Sequence, residues 1–589
     1  MSEDTSNTHP KAGLNPDKKI PLILATGLGI QLSGLVIPGL VIMPIVVFRA
    51  AEQAESVMLW AVSASLMICG LVSILQAIRV GRIGAGYILV TGTSGASLAI
   101  CIAALNEGGT ALLAVLMLVL ALFQIVFSTQ LSLFRRILTP AIMGTVLMLT
   151  PVTVMPIIFD QLENVPAGAP PYAAPLSSLI TILVIVAMVL KTKGKLRLWA
   201  PVIGIILGSA FSGIFGLYDI DRIAKSSWFG FPKMHWPGLD LSFGPAFWGL
   251  LPAFLFISIV CTIQTISGSI AVQGVSWPSP RSADFRKTQG AIAADGIGNI
   301  LSGIFGAIPI GFRPYGTSMI ELTGISSRRI GVAYGIVIIA LAFFPKGLAM
   351  ILAIPGPVTA AFITIMMATI FIIGIRIVVQ DGIDYRKGLI VGVSFWVGVG
   401  FQNGVVFSDY ISEHIGPYLN NGMVAGGLTA ILLVLFVDLT KPVSSRIEVE
   451  LALTSLKDIR VFLSTFAQKN GWDKHMTERL NAAAEETLMS LQQNDEAREE
   501  SKKRLFLSAR KEDGGAILEF VSLMGSGNLQ DRLAMLDDQV QEETIGREVS
   551  LRLLRHFSSW VRHQKYHDTD IITIRIENTD TSPYKKTWN

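Results

Sequence analysis

Two stretches of apolar sequence are interrupted by glycine and proline and carry side chains that bind small polar molecules. They span residues 86–97 and 306–318, and each contains a Gly-Thr-Ser tripeptide after a short run of β-forming residues. Hydroxyl groups donate and accept hydrogen bonds, and a guanidinium group binds planar anionic or carbonyl groups. Alternatively, the hydroxyls only satisfy nearby backbone groups. The candidate ligand-binding residues in the two stretches are Thr93, Ser94, Arg313, Tyr315, Gly316, Thr317 and Ser318.

Two carboxylates lie near these stretches. Asp295 precedes the second stretch, and Glu321 follows it by about one helical turn. Ionisable groups inside a bilayer are costly and usually have a function, so both are candidates for coupling to a cation. The alternatives are a structural lock between helices for Asp295, an ion pair of Arg313 with either carboxylate, and solvation at the cytosolic end of its helix for Glu321.

Amide and hydroxyl side chains in two other apolar segments extend the candidate site. Gln264 and Ser267 lie in the polar run 261–269, and Gln31 lies in the first apolar segment. An amide offers two donors and an acceptor to a ligand, although in membrane helices it often bonds only to another helix. None of the seven histidines falls in an apolar segment, which argues against a histidine proton relay.

Long apolar runs dominate the chain up to about residue 440 and indicate a polytopic α-helical membrane protein. Lys and Arg are concentrated in alternate loops, which places both termini in the cytosol. We predict fourteen spans at residues 20–48, 57–78, 86–105, 110–131, 137–159, 174–190, 199–217, 243–270, 286–304, 308–324, 329–344, 349–375, 388–405 and 420–438.

The two interrupted stretches fall in the third and tenth predicted spans. Fourteen spans divide into seven plus seven, and an odd number of spans per repeat gives the halves opposite orientations in the membrane. Irregular backbone is tolerated in a bilayer only where it lines a cavity, and interrupted spans at matching positions point to a transporter's binding site. We therefore expect a mid-membrane site between two inverted repeats.

The ends of the chain differ from this membrane region. Residues 1–19 are polar and contain no evident cleavable signal peptide, so we expect a disordered cytosolic segment. Residues 446–589 have the composition of a soluble domain, and the net charge of +4 averages these unlike regions. Cys69, Cys101 and Cys261 all lie in apolar segments, which favours packing roles over a disulfide framework or a metal site.

Residues 20–440 resemble the nucleobase–ascorbate transporter family, which includes the bacterial xanthine and uracil permeases. The resemblance implies a core domain, about residues 20–131 and 243–344, and a gate domain, about residues 137–217 and 349–438. It also implies a homodimeric elevator carrier of the inner cell membrane, coupled to H⁺ or Na⁺ and without another cofactor. The segments that carry it are residues 75–84, 135–145, 294–298, 301–306, 322–331, 344–348 and 354–357.

Departures from the family pattern lie in the candidate site. A neutral amide and an arginine in place of carboxylates favour an electron-rich or anionic ligand. We therefore predict a transporter rather than an enzyme, for cation-coupled uptake of a purine-type nucleobase such as xanthine or urate. The alternatives are a small organic or inorganic anion carrier on the same fold, and a membrane sensor that signals through its C-terminal domain. The departing residues are Gly95, Gln264, Tyr315, Gly316 and Ser318, with Arg313 added.

The C-terminal residues 446–589 resemble a histidine-kinase-like ATPase domain of the anti-sigma serine-kinase type, through segments 480–488, 525–527 and 545–554 and a predicted last strand at 571–576. The resemblance implies two helices on one face of a mixed sheet. Ser490 and Leu523 stand where magnesium-binding and adenine-binding residues are expected. The polar groups of a bound adenine base would lack hydrogen-bond partners, and unpaired polar groups are costly to bury. We therefore interpret residues 446–589 as a degenerate domain that binds a cytosolic protein. The basic run 502–504 is a solvated face rather than a nucleic-acid site.

Overall fold

The protein is described by a computed structural model in which it folds as two compact units. The first comprises residues 1–278 and 287–436, and the second comprises residues 279–286 and 437–589. The structure describes residues 14–134, 139–163, 165, 169–218, 220–278, 281–379, 382, 384–404, 421–439, 445–493, 504–512, 515–522, 553–567 and 569–577.

Helices account for most of the first unit, with two short strands among them. The helices are α1 Leu22–Ala50, α2 Glu55–Ile78, α3 Leu98–Thr129, α4 Leu131–Phe134, α5 Pro140–Glu163, α6 Ala173–Lys191, α7 Lys195–Ile214, α8 Ile220–Lys225, α9 Pro245–Val275, α10 Phe285–Phe305, α11 Tyr315–Thr323, α12 Arg328–Leu341, α13 Pro345–Leu352, α14 Gly356–Val379, α15 Tyr385–Gln402 and α16 Gly422–Leu439. The strands are β1 Val90–Thr93 and β2 Ile310–Arg313.

Eight of the described helices are long and apolar enough to cross a bilayer: α1, α2, α3, α5, α6, α7, α9 and α14. A ninth span results if α12 and α13, which meet at 84°, are counted as one broken span. Their most apolar windows have mean hydropathies between 1.5 and 2.7, so the protein is a multi-pass helical membrane protein. The count of fourteen spans stays a prediction.

One predicted span differs from the structure, and one predicted boundary agrees with it. The span predicted at 349–375 is wrong as a continuous helix, because α13 ends at Leu352 and α14 begins only at Gly356. Pro355 lacks a backbone donor and disfavours helical geometry in the residue before it, which explains the interruption. The boundary predicted between the spans at 86–105 and 110–131 coincides with a break in α3, because Gly108 and Gly109 have non-helical backbone angles.

The two interrupted stretches meet through β1 and β2, and the two strands contain the β-forming residues seen in the sequence. The strands are antiparallel, with Val90 opposite Arg313 and Thr93 opposite Ile310. Each strand thereby supplies hydrogen-bond partners to the other, which an isolated extended segment would lack in a membrane. Around this pair, α2 packs on α12, α3 packs on α9, and α1 packs on both α2 and α12. A separate group forms where α14 packs on α5 and α6.

The second unit is an antiparallel sheet with two helices. The elements are β3 Ser445–Glu450, α17 Leu456–Lys469, α18 Lys474–Gln493, β4 Arg504–Glu512, β5 Gly515–Ser522, β6 Trp560–Lys565 and β7 Asp570–Glu577. The described strands lie in the order β3-β4-β5-β7-β6, and every neighbouring pair is antiparallel. The predicted mixed sheet is therefore wrong for these strands: β4–β5 and β6–β7 are joined by short connections, whereas a parallel pair needs a long crossover.

Further predictions for the second unit concern its last strand, its two helices and the residues expected at a nucleotide site. Strand β7 confirms the strand predicted at 571–576 and is the last strand of the described residues, and side chains of α17 and α18 share an apolar core with alternate residues of the strands. Ser490 is 1% exposed in α18. Leu523 and the glycines of segment 525–527 lie outside the described residues.

Candidate functional site

Arg313 lies on β2 and folds across the facing strand. Its guanidinium group donates a hydrogen bond to the backbone carbonyl of Thr93 at the end of β1. The side chain crosses over Gly92, where an added Cβ atom would lie 2.9 Å from the Arg313 Cγ atom and 3.1 Å from its Nε atom. The absence of a side chain at Gly92 therefore makes room for the arginine between the two interrupted spans.

No carboxylate of a described residue lies within ion-pair distance of this guanidinium group. The proposed ion pairs with Asp295 and Glu321 are therefore wrong in this structure. The polar groups that act on Arg313 electrostatically are Tyr315 and Tyr334 and the thiols of Cys69 and Cys261. Placing a cation in a protein interior without a counter-ion is costly, and a bound anion or carbonyl group would offset that cost.

Asp295 lies in a hydrogen-bonded junction of three helices. Asp295 belongs to α10. Its Oδ1 atom accepts a hydrogen bond from Gln76 of α2 at 3.0 Å, and its Oδ2 atom accepts one from Thr265 of α9 at 2.5 Å. Gln76 and Thr265 are fully buried, and Asp295 is 1% exposed. Glu321 is exposed on α11 and takes no part in this junction. The structure thus separates the two carboxylates that the sequence grouped together.

The hydroxyls of the first interrupted span are engaged locally. Thr93 donates its hydroxyl hydrogen to the carbonyl of Gly39 on α1 at 3.0 Å, as the backbone-satisfying alternative predicts. Ser94 is 3% exposed, and its Oγ atom accepts a weak hydrogen bond from the Cys261 thiol at 3.6 Å. Its backbone N–H donates to the carbonyl of Pro309 at 2.7 Å. Thr93 and Ser94 therefore fix the two interrupted spans relative to α1 and α9.

The predicted residues of α9 and α11 lie near the strand pair and the residues leading into it. Gln264 of α9 faces β2, with its Oε1 atom 3.7 Å from where a Cβ atom on Gly311 would be. Thr317 of α11 has a buried hydroxyl that makes no hydrogen bond to any described residue. Gly316 allows close approach, because a Cβ atom there would lie 2.7 Å from the carbonyl oxygen of Ile88.

The remaining candidates are distributed over α1, α9 and α11. Tyr315 and Ser318 lie on α11, and Ser267 is partly buried one turn beyond Gln264 on α9. Gln31 lies on α1 eight residues before Gly39, about 12 Å along the helix from the point where Thr93 contacts it.

Three buried amides at this site were not singled out from the sequence. Asn299 contacts β2 through both of its polar atoms: its Oδ1 atom accepts from the backbone N–H of Ile310 at 2.8 Å, and its Nδ2 atom donates to the Ile310 carbonyl at 3.4 Å. The same Nδ2 atom also donates to Gln124 of α3 at 2.8 Å. Gln76 contacts Asp295 in the same way. An amide inside an apolar segment is the available sequence signal for all three, but it does not reveal the partner.

Residues 25–406 match the model of the xanthine/uracil permease family, whose description reads "Permease family". The chain is 27% identical over 401 residues to the putative purine permease CPE0397 of Clostridium perfringens, a match covering 67% of this chain and 86% of that protein. It is 27% identical over 389 residues to the xanthine permease XanP of Escherichia coli strain K12, covering 63% of this chain and 83% of XanP.

A solved structure shares the fold. The murine Slc26a9 anion transporter in its inward-facing state superposes with a TM-score of 0.50 at 14% sequence identity, covering 76% of this chain and 75% of that one. At that identity the likeness concerns the fold alone. Because the family match covers well over half of the chain, the protein belongs to the xanthine/uracil permease family and is a membrane transporter, not an enzyme.

Proposed function

We propose that the protein is a secondary active transporter that takes up a purine-type nucleobase of the xanthine or urate kind, coupled to a cation. The observation that carries this proposal is Arg313, which lies between the interrupted spans without a carboxylate partner among the described residues. The family members named above as purine and xanthine permeases support the substrate class.

The recognition chemistry follows from the groups around the strand pair. The guanidinium group of Arg313 offers planar donors to a ring carbonyl or an anionic ring nitrogen. Gln264 faces the same strand and supplies both amide donors and an acceptor, which suits the alternating donors and acceptors of an oxidised purine edge. Tyr315 and the unpaired hydroxyl of Thr317 are further contacts in this proposal.

Asp295 is the coupling residue in this proposal. Burying a carboxylate in a membrane helix is costly, and its position beside α9, which also carries Gln264, would let its charge state influence the substrate site. Inverted repeats and an elevator motion are part of the same proposal. Their support is that elements predicted to correspond are paired: β1 with β2, and α5 with α14. A homodimer in the inner membrane with cytosolic termini completes it.

A small organic or inorganic anion is the second candidate substrate, because Arg313 would bind a carboxylate or an oxyanion equally well. Thermal unfolding of the purified protein with a ligand panel separates the two. A ligand present at 100 times its Kd stabilises the native state by about 2.7 kcal/mol, which shifts the transition measurably. We expect stabilisation by xanthine or urate. Stabilisation by carboxylates or inorganic anions alone would reject the nucleobase assignment.

Gly92→Ala is expected to weaken substrate binding without unfolding the protein. The new methyl group would displace the Arg313 side chain, which is flexible, rather than backbone atoms. We expect about a tenfold rise in Kd, equivalent to about 1.4 kcal/mol, measured by ligand titration of thermal stability. Gly274→Ala is the matched control, because a Cβ atom there meets nothing within 4 Å. Wild-type affinity in Gly92→Ala would contradict the position assigned to Arg313.

For the C-terminal unit we propose a protein-binding role without ATP hydrolysis. In the ATPase-like resemblance either Glu485 or Glu486 could be a catalytic base, and Glu485 is ion-paired with Arg460 at 2.5 Å. Ser490, at the position of a magnesium-binding asparagine, is almost fully buried. Removal of residues 446–589 is expected to leave substrate transport intact in vesicles; loss of transport with a correctly folded membrane unit would contradict this division of roles.

A further inference from the structure

Gln76 uses both amide donors and its carbonyl oxygen in hydrogen bonds inside the membrane unit. Its Oε1 atom accepts from the backbone N–H of Ala85 at 3.0 Å. Its Nε2 atom donates to the carbonyl of Ala291 at 2.9 Å and to the Oδ1 atom of Asp295 at 3.0 Å. One end of the amide thus meets a backbone donor and the other a backbone acceptor, which fixes its orientation. The side chain is fully buried.

The backbone around Gln76 reinforces the same connection. The carbonyl of Gln76 accepts from the N–H of Gly86 at 2.7 Å, and the N–H of Gly84 donates to the carbonyl of Gly290 on α10 at 2.7 Å. Residues 84–86 lead directly into β1, which carries the Thr93 carbonyl that Arg313 contacts. A movement of α10 at Asp295 would therefore act on the third span through Gln76.

The two oxygens of Asp295 have different surroundings. Oδ1 faces the NH₂ group of Gln76, which can donate a hydrogen but cannot accept one. Oδ2 faces the hydroxyl of Thr265 at 2.5 Å, and a hydroxyl can do either. The other titratable groups within electrostatic range are the buried thiols of Cys69 on α2 and Cys261 on α9, and Arg313 acts on both thiols.

We infer that Gln76 is a positioning residue that ties the coupling carboxylate of Asp295 to the interrupted third span and leaves Oδ2, beside Thr265, as the oxygen at which the charge is neutralised. This inference rests on the coupling role proposed for Asp295. It adds a defined route from that carboxylate to the substrate site, through Ala85 and β1, and it assigns Gln76 and Thr265 to that route.

Gln76→Glu tests the link in proteoliposomes that hold the full-length protein and are supplied with xanthine. The new carboxyl group keeps the acceptor for Ala85 but places a second acid against Oδ1, and two adjacent carboxyl groups hold a proton more tightly than one. We expect the pH profile of substrate accumulation to move to higher pH by about one unit or more, while exchange at saturating substrate continues. Gln289→Glu is the matched control: Gln289 is a buried α10 amide that bonds to the Ser128 carbonyl.

Thr265 variants provide a second test that does not depend on how well Gln76→Glu folds. Thr265→Val removes the hydroxyl beside Oδ2 and should move the profile to higher pH, whereas Thr265→Ser should restore it. Profiles that superpose on the wild type in Gln76→Glu and Thr265→Val, or an equal shift in Gln289→Glu, would overturn the inference. Accumulation by Asp295→Asn would instead overturn the proposed coupling role, so the two failures are distinguishable.

Discussion

Replacing Arg313 with alanine is expected to raise the Kd for xanthine or urate about a hundredfold or more, which corresponds to about 3 kcal/mol of binding free energy. The loss is large because the guanidinium group has no described carboxylate partner and lies on the strand that joins the interrupted spans. Ligand titration of thermal stability measures the change directly.

A structural role for Arg313 must be separated from a binding role, since its side chain also contacts the Thr93 carbonyl. Arg313→Gln can still donate to that carbonyl but carries no charge. We expect Arg313→Gln to unfold near the wild-type temperature and to bind as poorly as Arg313→Ala. Arg376→Ala, which removes an exposed arginine at the end of α14, is the control. Wild-type affinity in Arg313→Ala would remove Arg313 from the site.

Asp295→Asn is expected to abolish cation-driven accumulation of substrate while leaving substrate exchange across the membrane. Asparagine is nearly isosteric and can still bond to Gln76 and Thr265, but it cannot change charge as the carrier cycles. Vesicles with and without an imposed ion gradient measure the two activities separately. We expect Asp295→Asn to exchange substrate with and without the gradient and to accumulate substrate in neither condition.

The control for this experiment is Glu321→Gln, because Glu321 is exposed and lies outside the Asp295 junction. We expect Glu321→Gln to accumulate substrate as the wild type does. Accumulation by Asp295→Asn would refute its coupling role, and loss of accumulation in Glu321→Gln would transfer that role to α11.

The interrupted spans were predictable because glycine, proline and β-forming residues inside apolar sequence have few explanations in a membrane. The partners of the buried polar groups were not predictable. Gln76 and Asp295 are separated by 219 positions, and only the hydrogen bond in the folded structure shows that they meet. Single-sequence patterns identify costly side chains but not what offsets the cost, so the ion pair of Arg313 with Asp295 or Glu321 stayed open as an alternative until the structure excluded it.

Helix ends and strand directions were also only partly predictable from the sequence. Pro355 and the glycines at 108 and 109 were visible in the sequence, yet whether they end, bend or merely interrupt a helix depends on the neighbouring packing. In the C-terminal unit the strand at 571–576 was predicted correctly, but the strand directions were not, because the family resemblance implied a mixed sheet and all neighbouring described strands are antiparallel.

The most direct test of the central claim is uptake of radiolabelled xanthine into proteoliposomes containing the purified full-length protein, under an inwardly directed proton or sodium gradient. The account predicts concentration of xanthine above equilibrium, competition by unlabelled urate, and loss of uptake in Arg313→Ala. Absence of xanthine transport by a preparation that transports a carboxylate or inorganic anion would contradict it, and would make this permease an anion carrier.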